Sequence, residues 1–170
     1  MLSVLLETLN DEEGLARTLA CLVGGAVEGM VREVVVRDGG SSDGTLAVAE
    51  HAGCHVLAGS IAAAVAATRG DWLLVLEPDA RLEGGWTDEV VAHVAGSAKP
   101  ARFSRAPGSR APFLSRLVAR PTALAQGLLI PKRRAMPLAA KAADAEALAR
   151  GLAMKTLHAG IWPAPARQRT

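Results

Sequence analysis

Two short acidic segments carry the chemistry that this sequence could do. The first is Asp38-Gly39-Gly40-Ser41-Ser42-Asp43-Gly44-Thr45, which follows the apolar run Val34-Val35-Val36. A carboxylate at a strand's carboxyl end, then glycines, then a helix N-terminus, is how an open α/β sheet builds a nucleotide site. The glycines allow backbone to approach a ligand closely, and Asp38 is placed to accept a hydrogen bond from a base or ribose. The second segment is Glu77-Pro78-Asp79, directly after Trp72-Leu73-Leu74-Val75-Leu76. Two carboxylates separated by one residue suit a divalent cation such as Mg²⁺ or Mn²⁺, which prefers oxygen ligands and bridges to diphosphate oxygens. Such a cation takes up charge developing on a nucleoside-diphosphate leaving group. Each segment also has an ordinary reading when taken alone: a turn plus N-cap for the first, a proline-fixed turn for the second.

The elements that must position these segments follow from periodicity. Leu2 to Leu6, Val34 to Val36, Cys54 to Leu57 and Trp72 to Leu76 read as short buried strands. Between them, Leu15, Leu19, Leu22 and Val23 share one helical face, with Asn10 and Glu13 as a capping pair and Gly24-Gly25 as the stop. Leu46, Ala49 and Ala52 line a second helix that Gly53 ends, and Ile61 to Thr68 forms an alanine-rich third. Continuous apolar strands alternating with helices predict a parallel sheet covered on both faces. Another helix runs through Val90, Val91 and Val94, with His93 at its surface. Beyond residue 99 the pattern predicts strands at Arg102 to Ser104 and Gly127 to Ile130, and helices at Pro112 to Ala119 and Ala139 to Leu152. The stretch from Ile161 to Thr170 reads as extended or loose.

The 170 residues suffice for one domain with a real core, half hydrophobic but only 3% aromatic. The net charge of +2 hides a split. Residues 1–98 hold 15 acids and 5 bases, and residues 99–170 hold 2 acids and 14 bases with eight of the nine prolines. This predicts two lobes of a single 1–170 domain, the second offering a basic surface to phosphate groups or an anionic membrane face. Lys132-Arg133-Arg134 reads as a solvated loop or an acceptor-phosphate contact. No apolar run reaches spanning length and no secretory signal is seen, so a cytoplasmic protein is expected, with contact at the inner membrane face left open. Cys21 and Cys54 match no metal spacing and read as buried thiols. His51 and His55 read as surface residues. Trp72 and Trp86 flank the two acidic segments.

Four segments in order resemble the family-2 glycosyltransferases of the GT-A fold. They are Thr8-Leu9-Asn10-Asp11-Glu12, then Asp38 to Thr45, then Gly70-Asp71-Trp72-Leu73-Leu74-Val75-Leu76-Glu77-Pro78-Asp79, and last Asp144-Ala145-Glu146. The resemblance is strong from Ser3 to Trp86 and weak after Lys99. It implies an α/β GT-A domain, mostly parallel in its central sheet, with a nucleotide-sugar lobe over 1–98 and an acceptor lobe over 99–170. It implies transfer of a sugar from a UDP- or GDP-type donor with Mg²⁺ or Mn²⁺. By that resemblance Thr8, Asn10, Asp38, Gly39, Gly40, Ser41, Asp71 and Glu77 bind nucleotide, and Asp79 binds metal. Asp144 and Glu146 are the candidates for deprotonating the acceptor hydroxyl. The acceptor is unspecified, with lipid-linked or anionic molecules open, as is homo-oligomerisation. Nucleic acid is not expected as a partner.

The departures from that pattern motivate an alternative. Glu7 stands where the family has proline, Glu77 replaces an aspartate, and Pro78 occupies the middle position. Ser60-Ile61-Ala62-Ala63-Ala64 lacks the usual polar donor contacts, and Ala145 stands in the late acidic pair. A relative that keeps the fold and nucleotide binding without catalysis fits these changes. A nucleotidyltransferase ranks lower, because Glu7-Thr8-Leu9-Asn10 replaces a basic glycine-rich loop after strand one. A dinucleotide-binding dehydrogenase ranks lowest, because the glycine fingerprint is missing there.

Overall fold

The computed structural model describes residues 1–109 and 122–165. The helix expected over Pro112 to Ala119 lies outside the described residues, as do residues 166–170. Eight strands form one sheet in the order β3-β2-β1-β4-β7-β6-β8-β5. The first half alternates strictly: β1 (Leu2–Thr8), α1 (Glu12–Val27), β2 (Val31–Asp38), α2 (Thr45–His51), β3 (His55–Leu57), α3 (Ile61–Ala67) and β4 (Trp72–Leu76). Its four strands are mutually parallel. The second half contains β5 (Arg81–Leu82), α4 (Trp86–Gly96), β6 (Ala101–Arg105), β7 (Leu128–Pro131), α5 (Lys132–Ala139), α6 (Ala145–Ala149) and β8 (Lys155–Trp162). There β7 runs antiparallel to β4 and β6, and β5 antiparallel to β8.

Strand periodicity divides the core into two layers. Leu2, Val4 and Leu6 of β1, with Trp72, Leu74 and Leu76 of β4, face Leu15 and Leu22 of α1, Ala49 of α2, and Trp86 and Val90 of α4. Leu5, Leu73 and Val75 face the other way, onto Ile61, Ala64 and Val65 of α3, Ala135 of α5 and Leu148 of α6. A strand with helices on both sides has no polar face to show, which is why β4 reads as five consecutive apolar residues and is buried at all five.

Several expectations are corrected here. Gly24-Gly25 does not end α1. A Cβ at Gly25 would lie 2.9 Å from the Trp86 indole, so this glycine is a packing notch that lets α1 cross the ring. The helix ends at Val27 with Glu28 as its C-cap, and Gly29 follows at φ +72. The Met30 N–H reaches the Gly25 carbonyl and the Gly29 N–H the Ala26 carbonyl, a Schellman closure. Of the expected Ala139 to Leu152 helix only Ala145–Ala149 forms a helix of its own, because α5 already ends at Ala139 and residues 140–144 are turn. The Asp144 carboxylate takes the Ala147 N–H at 2.8 Å and starts α6 afresh. Lys132-Arg133-Arg134 is the first turn of α5 rather than a loop, and Lys132 Nζ donates to the Thr68 carbonyl. His93 is buried, not at the surface. Its Nε2 lies 2.8 Å from the Lys99 carbonyl and its ring meets Trp72 edge-on. β8 takes up the start of the stretch expected to be loose, pairing with β6 and β5. Both cysteines are free thiols, and burial pushes Cys54 up to about 11.

Candidate active site

The winding of the sheet fixes where a ligand can sit. From β1 the chain moves outward through β2 to β3, then returns across β1 to place β4 on the other side. The order therefore reverses between β1 and β4, and a crevice opens beyond the carboxyl ends at such a point. An open depression of about 400 Å³ lies there. Asn10 and Asp11 line it from the loop after β1, Glu12 to Gly14 from the first turn of α1, Asp43 from the loop after β2, and Pro78 and Asp79 from the turn after β4. Ala164 and Pro165, which follow β8, close one edge.

The loops after β1 and β2 are laced together. Thr8 and Asp38 are register partners in the parallel ladder. The Asp38 carboxylate accepts from the Thr8 hydroxyl at 2.9 Å, the Ser41 hydroxyl at 2.5 Å, and the Gly40 and Ser41 N–H groups at 2.8 Å each. Burial alone would raise this carboxyl. The hydrogen bonds from Ser41, Gly40 and Thr8 together outweigh burial and hold it below the ordinary carboxylate value. Gly40 has φ +101, which admits the turn that aims two successive N–H groups at one carboxylate. Asp38 thus forms the framework behind the depression, while Asp43 stands on its wall.

Asn10 is not the helix cap that the capping-pair reading expects; Asp11 is the N-cap residue, and it makes no side-chain capping bond. Asn10 has φ +53, a left-handed conformation that asparagine tolerates better than most residues. Its side-chain carbonyl accepts the Ser42 N–H at 2.8 Å, and its own N–H donates to the Ser41 hydroxyl at 2.9 Å. The Asp11 N–H donates to the Thr45 hydroxyl, and the Glu12 carboxylate accepts the Gly44 N–H. A Cβ at Gly44 would come within 2.5 Å of the Glu12 carboxyl, and Gly39 lies against the Thr8 carbonyl.

Asp79 sits in a left-handed turn, φ +73, with its N–H on the Gly14 carbonyl at 2.9 Å. A Cβ at Gly14 would meet the Asp79 backbone at 3.2 Å, so α1 and this turn touch through a glycine. The Asp79 Oδ1 accepts from Arg17 Nη1 at 3.2 Å, and Arg17 Nη2 donates to Glu13 at 2.6 Å. Glu77 accepts from the Thr122 hydroxyl at 2.7 Å. Among the described residues no three His, Cys, Asp or Glu side chains are grouped to hold a metal. A lone carboxylate can nonetheless serve Mg²⁺ alongside substrate phosphates, since that ion keeps waters and takes one or two protein carboxylates, and Asp79 has the donor chemistry for it.

Not every expected residue comes to this edge. Asp71 precedes β4 and lies at the opposite end of the sheet, its side chain 88% exposed and its carbonyl accepting the Lys132 N–H. Trp72 shares that far end, paired with Pro131, so it does not flank the depression. Asp144 is the N-cap of α6. Glu146 accepts the Ala123 N–H at 3.2 Å and lies 3.6 Å from Arg150. The contacts of three residues were not legible in the sequence. Arg17 is a helix-face arginine whose local signal is Glu13 four residues before it, with nothing to announce Asp79. Glu7 and Arg37 form an ion pair across β1 and β2, and the other oxygen of Glu7 accepts the Ala145 N–H at 2.6 Å. Glu7 therefore ties α6 to the carboxyl end of β1.

A parallel β3-β2-β1-β4 sheet with its depression at the β1/β4 reversal, continued by a mixed extension in which β6 and β8 are parallel, defines a nucleotide-sugar transferase fold of GT-A type. The sequence matches the family described as Glycosyl transferase family 2 over residues 3–99, and the chain belongs to that family. In structure it is similar to glucosyl-3-phosphoglycerate synthase from Mycobacterium tuberculosis in complex with Mg²⁺ and uridine-diphosphate. That likeness has a TM-score of 0.65 at 18% identity, covering 100% of this chain and 72% of that one. The same synthase with Mn²⁺, uridine-diphosphate and phosphoglyceric acid gives 0.59 at 18% identity, covering 79% and 57%. Mannosyl-3-phosphoglycerate synthase from Rubrobacter xylanophilus gives 0.58 at 17% identity, covering 78% and 53%. The chain thus spans a little over half the length of the last two. At such identities the likeness establishes the fold. Among curated protein sequences none matches the chain.

Proposed function

We propose that this domain binds a nucleoside-diphosphate sugar of UDP or GDP type in the β1/β4 depression and transfers the sugar with the help of Mg²⁺ or Mn²⁺. The observation that carries this reading is Asp79 on the wall of a depression at the topological reversal, in a family-2 domain. The solved relatives bound to uridine-diphosphate with Mg²⁺ or Mn²⁺ support the choice of ligand. Asp79 would hold the cation through a carboxylate oxygen, with diphosphate oxygens and water completing its shell. The cation supplies charge neutralisation for the departing diphosphate.

The chain's own residues do the positioning. Thr8, Asp38, Gly39, Gly40 and Ser41 hold one wall rigid, and Asn10 locks the loop after β1 to it. Glu77 borders the same edge. The acceptor hydroxyl needs a carboxylate within hydrogen-bond reach, and Asp144 or Glu146 is assigned to that step. The excess of basic residues over 99–170 favours an anionic acceptor, lipid-linked or free.

One observation favours a second reading. The Asp144 carboxylate caps α6 and Glu146 is bonded to Ala123 and Arg150, so both candidate bases have partners already. On that reading the domain binds nucleotide without transferring sugar. Incubation with UDP-glucose and GDP-mannose plus Mn²⁺ separates the two. Release of free diphosphonucleoside that disappears in Asp79→Ala supports transfer chemistry. Binding of UDP with no release over hours supports the second reading, and neither binding nor release removes both. Among the described residues no helix is long and apolar enough to cross a membrane.

A further inference from the structure

Arg17 of α1 pairs with two of the five carboxylates that line the depression, which are Asp11, Glu12, Glu13, Asp43 and Asp79. It lies between two carboxylates, 2.6 Å from Glu13 and 3.2 Å from Asp79. The shorter bond is to Glu13, one turn away on the same helix, so this pair does not need the Asp79 turn to form. Asp79 is held from the same helix by its backbone bond to Gly14, so its position does not depend on Arg17. The guanidinium can therefore leave Asp79 without releasing the turn. Oδ1 of Asp79 is the atom that Arg17 covers.

We infer that Arg17 is a resident counter-cation that competes with the divalent ion for Asp79, and that Glu13 receives the guanidinium when metal and nucleotide bind. This inference rests on the reading of Asp79 as a cation ligand. Arg17 acts through Asp79 and Glu13, so it is a positioning residue that sets metal affinity. A guanidinium is always charged and presents several donors in a fixed fork, which suits it to span two carboxylates and to swing between them.

The test is a titration of Mn²⁺ into the whole protein at saturating UDP, read by the electron paramagnetic resonance signal of free Mn²⁺. Arg17→Ala is expected to bind Mn²⁺ about two- to fivefold tighter, the scale of a half-exposed ion pair. Glu13→Gln is expected to weaken binding by a similar factor, because the arginine then has Asp79 alone. In the Arg17→Ala background Glu13→Gln should change nothing further, which a double-mutant cycle isolates. Unchanged or weaker Mn²⁺ binding in Arg17→Ala overturns the inference. So does an equal loss from Glu13→Gln in both backgrounds, which marks Glu13 as plain local charge. If the wild type binds Mn²⁺ with UDP but the cycle shows no coupling, only the role of Arg17 fails. If no variant binds Mn²⁺, the reading of Asp79 fails with it.

Discussion

The Asp38 carboxylate uses its acceptor capacity inside its own loop. Two oxygens take four hydrogen bonds, two from N–H groups and two from hydroxyls. Hydrogen bonds to a charged acceptor are worth more than neutral ones, and losing one leaves donors stranded. Asp38→Asn removes the charge and leaves one acceptor oxygen, so its NH₂ stands either against the two N–H groups or against hydroxyls that must turn to accept. At pH 7 it should cost about 1–3 kcal/mol, measured by urea unfolding. The sign with pH follows from the depressed carboxyl. Its stabilisation is fully present above the ordinary value of 3.8 and is lost as pH falls through the lower folded value. The gap in melting temperature between wild type and Asp38→Asn should therefore hold from pH 7 to about 4 and close below that. A constant gap down to pH 2.5 would show that the charge is not what holds the loop. Sequence identified Asp38 by its type and its place after a strand. It could not reveal that Thr8 stands opposite in the ladder and saturates it. The contact of Arg17 with Asp79 was illegible for the same reason: the two are 62 residues apart.

At the scale of elements, Glu7 explains how a short helix is held. α6 has only five residues, too few to persist in isolation. Its Leu148 side chain packs under the sheet, and its first N–H groups go to Asp144 and Glu7. Glu7→Ala removes the Arg37 partner and the Ala145 acceptor together. It should cost about 1–3 kcal/mol in urea and speed amide exchange in residues 145–149 more than in β4. Glu7→Gln, which keeps an oxygen for Ala145, should lose less of both. Equal exchange in wild type and Glu7→Ala would mean α6 is held by packing alone. The first-half elements were readable because buried parallel strands are continuously apolar and each helix has a clear apolar face. The second half was not. β5 has two residues and no pattern, and β8 is partly exposed. Alanine favours helix everywhere, so the chain from Ala139 onward hid the break that Asp144 makes.

For the whole molecule, topology and charge point to the same edge. The β1/β4 reversal places the depression, and the acidic excess of residues 1–98 is represented there by five carboxylates. An anionic diphosphate approaches such a lining only with a cation to screen it. UDP binding should therefore depend on Mn²⁺ in calorimetry, with at least a tenfold loss, about 1.4 kcal/mol, when the metal is withheld. Metal-independent binding of equal strength would contradict the electrostatic argument. The order of motifs made this edge legible in the sequence, because each acidic segment follows a strand of the parallel half. Asp71 shows the limit of that logic: it lies in the same motif as Asp79 but before the strand, and five residues of β4 carry it to the other end of the sheet.

Anomalous diffraction from crystals grown with UDP and Mn²⁺ tests the central claim most directly. The account predicts a manganese peak within coordination distance of the Asp79 carboxylate, with the diphosphate beside it at the carboxyl ends of β1 and β4. A peak away from Asp79, or a nucleotide seated on another face of the sheet, would contradict it.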